Sequence, residues 1–255
     1  MTEGAEEENN GMMQLFYNKN IDNQTKLYTF DKEESRHIAR VLRKKEGDII
    51  RVTNGRNQVF TGEIIDANDK KCRISITKVE TQESIRNYQM RIAIAPTKNN
   101  ARLEWFLEKA TEIGIDHIYP ILCEHSERKH IKEERLQKHL QTAMKQSLQT
   151  QLPQLHPMGS FECLVKDNKT TQKFIARCSF TEEDARKNHL ILQAKPHRDT
   201  LVLIGPEGGF SEREIDLALS NGFIPVSLGM TRLRTETAAL VAVHTINIKN
   251  IYEKE

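Results

Sequence analysis

The stretch LVLIGPEGGFSEREIDLALSNGFIPVSLGMTRLRTETAA, residues 201–239, decides the fold class. Its first four residues are continuously apolar, the pattern of a strand buried on both faces of a parallel sheet. That strand runs straight into Gly205-Pro206-Glu207-Gly208-Gly209, so the turn lies at the carboxyl edge of the sheet, where open α/β folds bind ligands. Ser211 with Glu214 three residues on is a capping box, opening a helix that stops at Asn221-Gly222. A short strand then precedes Gly229, and Thr235 starts the last helix. The turn is no Walker loop, because Phe210-Ser211 stand where Lys-Ser/Thr is required, and GxGxxG is absent. Glu207 would repel a pyrophosphate and suits cationic or hydroxyl groups, although a plain tight turn also accounts for the glycines. At 235–236, N-capping by Thr235 and a dipole-favoured Glu236 explain two residues. They leave Arg232 and Arg234 unexplained at the positive end of a helix. Those arginines call for an anion, such as an RNA phosphate, or a nearby carboxylate.

Outward from this stretch, strands and helices alternate back to residue 90. Strands are expected at 90–95, 117–122 and 174–178, and a long basic helix at 131–148. A helix over 101–113 gathers Leu103, Phe106, Leu107, Ala110 and Ile113 on one face and stops at Gly114. Trp105 on this helix is expected to be partly buried. Alternation of this kind predicts an α/β domain with a parallel sheet over 90–255. The first third reads differently. Short strands at 14–17, 26–29, 49–53, 58–65 and 72–79 surround one helix, which opens with Asp31 and Glu34 and carries Ile38, Val41 and Leu42 at helical spacing. Asn54-Gly55 and Asn68-Asp69 mark turns. A compact barrel of the PUA or OB kind is expected over 12–80, a polar linker at 81–89, and a disordered acidic leader at 1–11.

Composition narrows the function classes. The chain has 255 residues, 37% hydrophobic and 29% charged, which is polar but well short of a disordered composition. No apolar run approaches the ~20 residues of a membrane span, and no basic-then-apolar leader is present. Cys72, Cys123, Cys163 and Cys178 form no CxxC pair, and Cys123 and Cys178 flank nothing basic enough to suggest a nucleophile, so a cytoplasmic protein without disulfides or a thiol nucleophile is expected. The 9 histidines lack ligand spacing, so no metal is expected. Beyond the leader the chain holds 38 basic and 32 acidic residues, a net of +6, of which +4 lies within residues 12–88. Arg36, Arg40, Arg43, Lys44, Lys45, Arg51 and Arg56 are the densest part. On charge alone this is equally a solvated helix face or a phosphate-contacting patch.

With these residues in hand, the sequence resembles the ribosomal RNA small subunit methyltransferase E family, within the SPOUT (trefoil-knot) superfamily. IGPEGGFSEREI (204–215) and LGMTRLRTETA (228–238) carry the resemblance. RHIARVLRKKEGD (36–48), ARLEWFLEKATEIGIDHIYPIL (101–122) and the weaker KQSLQTQLP (145–153) extend it to essentially everything from residue 13 onward. Met230, Thr231 and Arg232 stand where the family shows Pro-Arg-Ile, which moves its first arginine by one residue, whereas Arg234 matches. Lys145, Gln149 and Gln151 replace the usual Glu and Arg residues around the Gln-Ser pair.

The resemblance implies a PUA-like RNA-binding domain, a C-terminal α/β trefoil knot and a homodimer formed through the knotted domain. It also implies S-adenosylmethionine as methyl donor and N3 of a uridine in 16S ribosomal RNA, within the small subunit, as acceptor. By position, the donor would lie against Ile204, Gly205, Glu207, Gly208, Gly209, Leu228, Gly229, Leu233, Arg234, Thr235 and Ala238. Arg36, Arg40, Arg43, Lys44 and Lys45 would hold RNA. Arg234 is the expected electrostatic catalyst, with Glu236 as orienter or base. Alternatives are a ribose 2′-O-methyltransferase of the same superfamily and a non-catalytic RNA-binding assembly factor. ATP binding is disfavoured for want of a phosphate-loop lysine.

Overall fold

The computed structural model describes residues 14–83, 86–178 and 181–252. The leader expected at 1–11 lies outside the described residues, as do two residues of the expected linker, 84 and 85. The chain forms two compact units. One comprises the described residues up to Glu83 together with Leu148–Gln151, and the other holds the remainder.

In the first unit, strands β1 (Leu15–Tyr17), β2 (Leu27–Thr29), β3 (Ile49–Thr53), β4 (Gln58–Asp66) and β5 (Arg73–Thr81) form one sheet in the order β1-β3-β4-β5-β2. Phe16, Ile38, Val52, Phe60 and Ile74 fill its core. Asn54-Gly55 opens the β3–β4 connection, where Gly55 and Asn57 take positive φ as the turn requires. Residues 148–151 belong to this unit because the Thr150 carbonyl accepts from Thr53 Oγ1 (3.1 Å) and from the Asn57 N–H (3.0 Å). Helix α1 (Lys32–Arg36) is capped by Asp31, whose carboxylate accepts the Glu34 N–H at 2.9 Å. The helix then widens into a π turn over His37–Val41, closed by the Leu42 N–H on the His37 carbonyl. That wider turn breaks the 3.6-residue spacing. Ile38 is buried as expected, but Val41 is turned out and is 67% exposed.

The second unit comprises β6 (Met90–Ile94), α2 (Asn100–Ile113), β7 (His117–Leu122), α3 (Glu133–Gln146), β8 (Gln154–Leu155), β9 (Gly159–Ser160) and α4 (Phe161–Asp167). β10 (Gln172–Ala176), α5 (Glu182–Lys187), α6 (Leu190–Gln193), β11 (Thr200–Ile204), α7 (Glu212–Ser220), β12 (Ile224–Val226) and α8 (Thr235–Tyr252) complete it. The sheet runs β12-β10-β11-β6-β7-β8, with β9 on β7, and every ladder is parallel. Its two faces explain the unbroken apolar run in β11. Val202 and Ile204 pack with Phe106 of α2 and with Ala239 and Val243 of α8. Leu201 and Leu203 pack with Phe161 of α4 and Ile215 of α7. Both arms of the Ser211–Glu214 capping box are present (2.9 and 3.2 Å). On α2, Leu103, Phe106, Leu107 and Ala110 are buried, whereas Trp105 points off that face and is exposed.

Between β7 and the segment after β8, Tyr119 stacks on His156 with ring centroids 3.9 Å apart, and His117 Nδ1 lies 3.1 Å from His156 Nε2. Burial is the main cause holding both imidazoles below the ordinary histidine range, with the nearby Arg91 charge acting in the same direction. Because the folded values are depressed, the unfolded chain takes up protons first as pH falls. The pair's contribution is therefore complete above about pH 6.5 and is lost on acidification below it. Thermal unfolding between pH 7.5 and 5 is expected to show a shallower decline in Tm for His156→Gln than for the parent. Parallel curves would contradict this.

Candidate active site

Beyond β11 the chain turns at once. The Gly209 N–H donates to the Pro206 carbonyl at 2.8 Å, closing the 206–209 turn at the carboxyl edge of the sheet. Gly209 sits at φ +78°, and a Cβ there would meet nothing within 4 Å. The turn after β12 has the same character. Gly229 sits at φ +136°, again with open space where a side chain would be. Both conformations are ones that L-residues rarely adopt.

Two hydrogen bonds join these turns. Arg232 Nη2 donates to the Glu207 carbonyl at 3.0 Å, and Thr235 Oγ1 donates to the Gly205 carbonyl at 3.1 Å. Thr235 is therefore not the N-cap that its place before a helix suggests. It is the first helical residue, buried, with its hydroxyl tying α8 to the end of β11. Arg232 finds a backbone carbonyl rather than an anion, which accounts for one of the two anomalous arginines. Glu207 has a structural task as well, since its Oε1 accepts the Lys98 N–H at 3.0 Å and braces the loop after β6. His125 Nδ1, 3.1 Å from the Gly209 carbonyl, holds the far side of the turn.

Leu228, Leu233 and Ala238 are half-buried beside this frame. Arg234 is exposed, and its carbonyl accepts the Ala238 N–H at 2.8 Å in the first turn of α8. Glu236 is buried in that same turn. Its Oε1 lies 3.7 Å from Arg102 Nε of α2, while its Oε2 is buried with no hydrogen-bond partner. A buried carboxylate oxygen in that state requires a donor. Ribose hydroxyls and an amino group, both carried by S-adenosylmethionine, are such donors, and the open space at Gly209 and Gly229 lets a ligand approach the backbone. The residues present fit that molecule.

The remaining residues sort by chemistry. Burial is the main cause raising the Cys123 thiol far above the ordinary range, with Glu214 adding to it, so Cys123 is no nucleophile at neutral pH. In the first unit, Arg36, Arg43 and Lys45 are exposed and Lys44 is half-buried. Arg40 is held by Asp69 through Nε (2.9 Å) and Nη2 (2.8 Å). Sequence reasoning misses Lys98, Arg102 and His125. Their signal is weak, because a backbone brace and a 3.7 Å ion pair depend on the strand order β11-β6-β7, which no local pattern encodes.

Comparisons with known proteins match both parts of the chain. The RNA methyltransferase domain family matches residues 84–247, and the RNA methyltransferase PUA domain family matches residues 30–77. A crystal structure of a probable rRNA-methyltransferase from Porphyromonas gingivalis is 40% identical, covers 93% of this chain and 98% of its own, and superposes with a TM-score of 0.84. A protein from Legionella pneumophila, solved with the cofactor S-adenosylmethionine bound, is 28% identical over 93% of this chain and 98% of its own, with a TM-score of 0.80. The ribosomal RNA small subunit methyltransferase E of Mesomycoplasma hyopneumoniae is 30% identical over 68% of this chain and 74% of its own length.

Proposed function

The chain belongs to the ribosomal RNA small subunit methyltransferase E family, and on that basis we propose that it methylates N3 of a uridine in 16S ribosomal RNA, with S-adenosylmethionine as donor. The observation that carries this reading is the pair of hydrogen bonds joining the 205–209 and 228–235 turns, beside the open glycines and the unpartnered Glu236 oxygen. S-adenosylmethionine supplies an electrophilic methyl carbon when bound. The two turns hold and orient the donor, so that catalysis rests chiefly on alignment. Uridine N3–H must lose its proton before nitrogen can attack. The exposed Arg234 guanidinium stabilises the charge that then develops on O2 and O4. Glu236, anchored opposite Arg102, serves as orienter by accepting a hydroxyl or amino group of the bound donor at Oε2, and the N3 proton passes to water.

The architecture of the second unit in this proposal is a trefoil knot, with the 228–235 segment tucked against the 205–209 turn. The assembly is a homodimer, supported by the outer face of α8. That face carries Val241 and Ile248, both half-buried, and the exposed Ile251 and Tyr252. No helix among the described residues is long and apolar enough to cross a membrane. The proposed place of action is the cytoplasm, on the small ribosomal subunit.

Methyl transfer from labelled donor to small subunits from a strain lacking this protein, followed by nucleoside analysis, tests the reading. N3-methyluridine is the expected product, and a ribose 2′-O-methyl nucleoside would refute it. In the first unit, Arg36, Arg43 and Lys45 are proposed to contact RNA phosphates, with Arg40 partly neutralised by Asp69. Replacing Arg36, Arg43 and Lys45 together by alanine is expected to flatten the slope of log K against log salt by about 2, with donor affinity unchanged. An unaltered slope would reduce the patch to ordinary solvated surface.

A further inference from the structure

A cleft of about 310 Å3 opens beside the donor turn and is lined by Lys98, Glu127, Arg128, Lys129 and His130. These residues lie on the loops that follow β6 and β7, at the carboxyl edge of the parallel sheet. The cleft is fixed rather than loose. Arg128 Nε donates to the Thr97 carbonyl at 3.0 Å and its Nη2 to the Lys98 carbonyl, pinning one loop to the other. The second loop is anchored in turn by the Glu124 N–H on Glu214 Oε1 (2.9 Å) and by the Cys123 N–H on Ser126 Oγ (3.0 Å). The Lys98 N–H bond to Glu207 then joins the cleft to the turn that holds the donor.

Its charge is unbalanced. Lys98 Nζ meets Glu127 Oε2 at 2.9 Å, and the Glu207 carboxylate stands beside the cleft on the Lys98 N–H, so these two carboxylates set against Lys98, Arg128 and Lys129 leave one positive charge in surplus. Arg128 faces backbone carbonyls, and among the described residues neither Lys129 nor His130 has an ion-pair partner. A preorganised, solvent-open cleft with surplus positive charge favours an anion that can enter from outside. We propose that this cleft holds a backbone phosphate of the RNA substrate beside the target nucleotide, with Lys129 as its principal cation. The assignment rests on the methyltransferase reading above for the identity of the polyanion. The donor's own carboxylate has the same chemistry, and the experiment separates the two.

Lys129→Ala, Lys129→Glu and Lys129→Arg would be compared with the parent for donor affinity by calorimetry, for binding to small-subunit ribosomal RNA across a salt series, and for steady-state methylation. For Lys129→Ala the slope of log K against log salt is expected to fall by about 0.7–0.9, the release expected for one phosphate contact. KM for RNA is expected to rise about 5-fold with kcat within about 2-fold, because the contact is made equally before and during reaction. Lys129→Glu should exceed Lys129→Ala in KM, and Lys129→Arg should restore the parent slope. Donor affinity should stay within about 2-fold throughout. An unchanged slope and KM in the alanine variant would overturn the proposal. So would a loss of donor affinity that accounts for the change. A parent that binds RNA with the steeper slope yet transfers no methyl group would fault the enzymatic reading and leave the phosphate site standing.

Discussion

Replacing Arg234 with alanine is expected to slow single-turnover methyl transfer about 100-fold, the usual cost of removing one preorganised charge-stabilising donor. Donor affinity should remain within about 3-fold of the parent. The separation is expected because Arg234 is exposed and the bonds joining the two turns come from its neighbours, Arg232 and Thr235. Removing the Arg234 side chain leaves those bonds and the Arg234 carbonyl in place. Lysine at 234 should recover part of the rate, since it restores the charge without the planar fork. A rate within about 3-fold of the parent for Arg234→Ala would exclude this residue from the chemistry.

Gly229→Val is expected to weaken donor binding at least about 30-fold. Valine at φ +136° is heavily strained, by at least ~1–3 kcal/mol, and the 228–235 turn must move to relieve it. About 2 kcal/mol withdrawn from the bound state corresponds to the stated loss of affinity. The control is Gly47→Val. Gly47 lies in the first unit at φ +90° with nothing within 4 Å of where a Cβ would stand, so its strain is of the same kind. It should lower Tm without altering donor affinity. Equal loss of donor affinity in both variants would show a general effect of destabilisation, and the turn would lose its assigned role.

Much of this fold is legible in the sequence because local signals and burial agree. The run LVLI reads as a two-faced buried strand, and β11 is that strand. Ser211 and Glu214 read as a capping box, and both of its hydrogen bonds exist. The failures have physical causes. A 3.6-residue spacing places Val41 in the core, but a π turn shifts it outward. Segments α4 to α6 and strands β8 and β9 are too short to show a period. Thr235 looks like an ordinary cap, since its true partner, the Gly205 carbonyl, lies 30 residues away in sequence. The same holds for Glu207, whose carboxylate is braced by the Lys98 N–H from a neighbouring strand's loop. Contacts made across a sheet edge depend on strand order, and strand order is set by the whole domain.

The most direct measurement is a crystal structure of the protein grown with saturating S-adenosylhomocysteine, the demethylated form of the donor. The expected density lies against both 205–209 and 228–235, with a ligand hydroxyl or amino group within hydrogen-bond reach of Glu236 Oε2. An empty space between those turns, or ligand bound at another edge of the sheet, would contradict the assignment of this site.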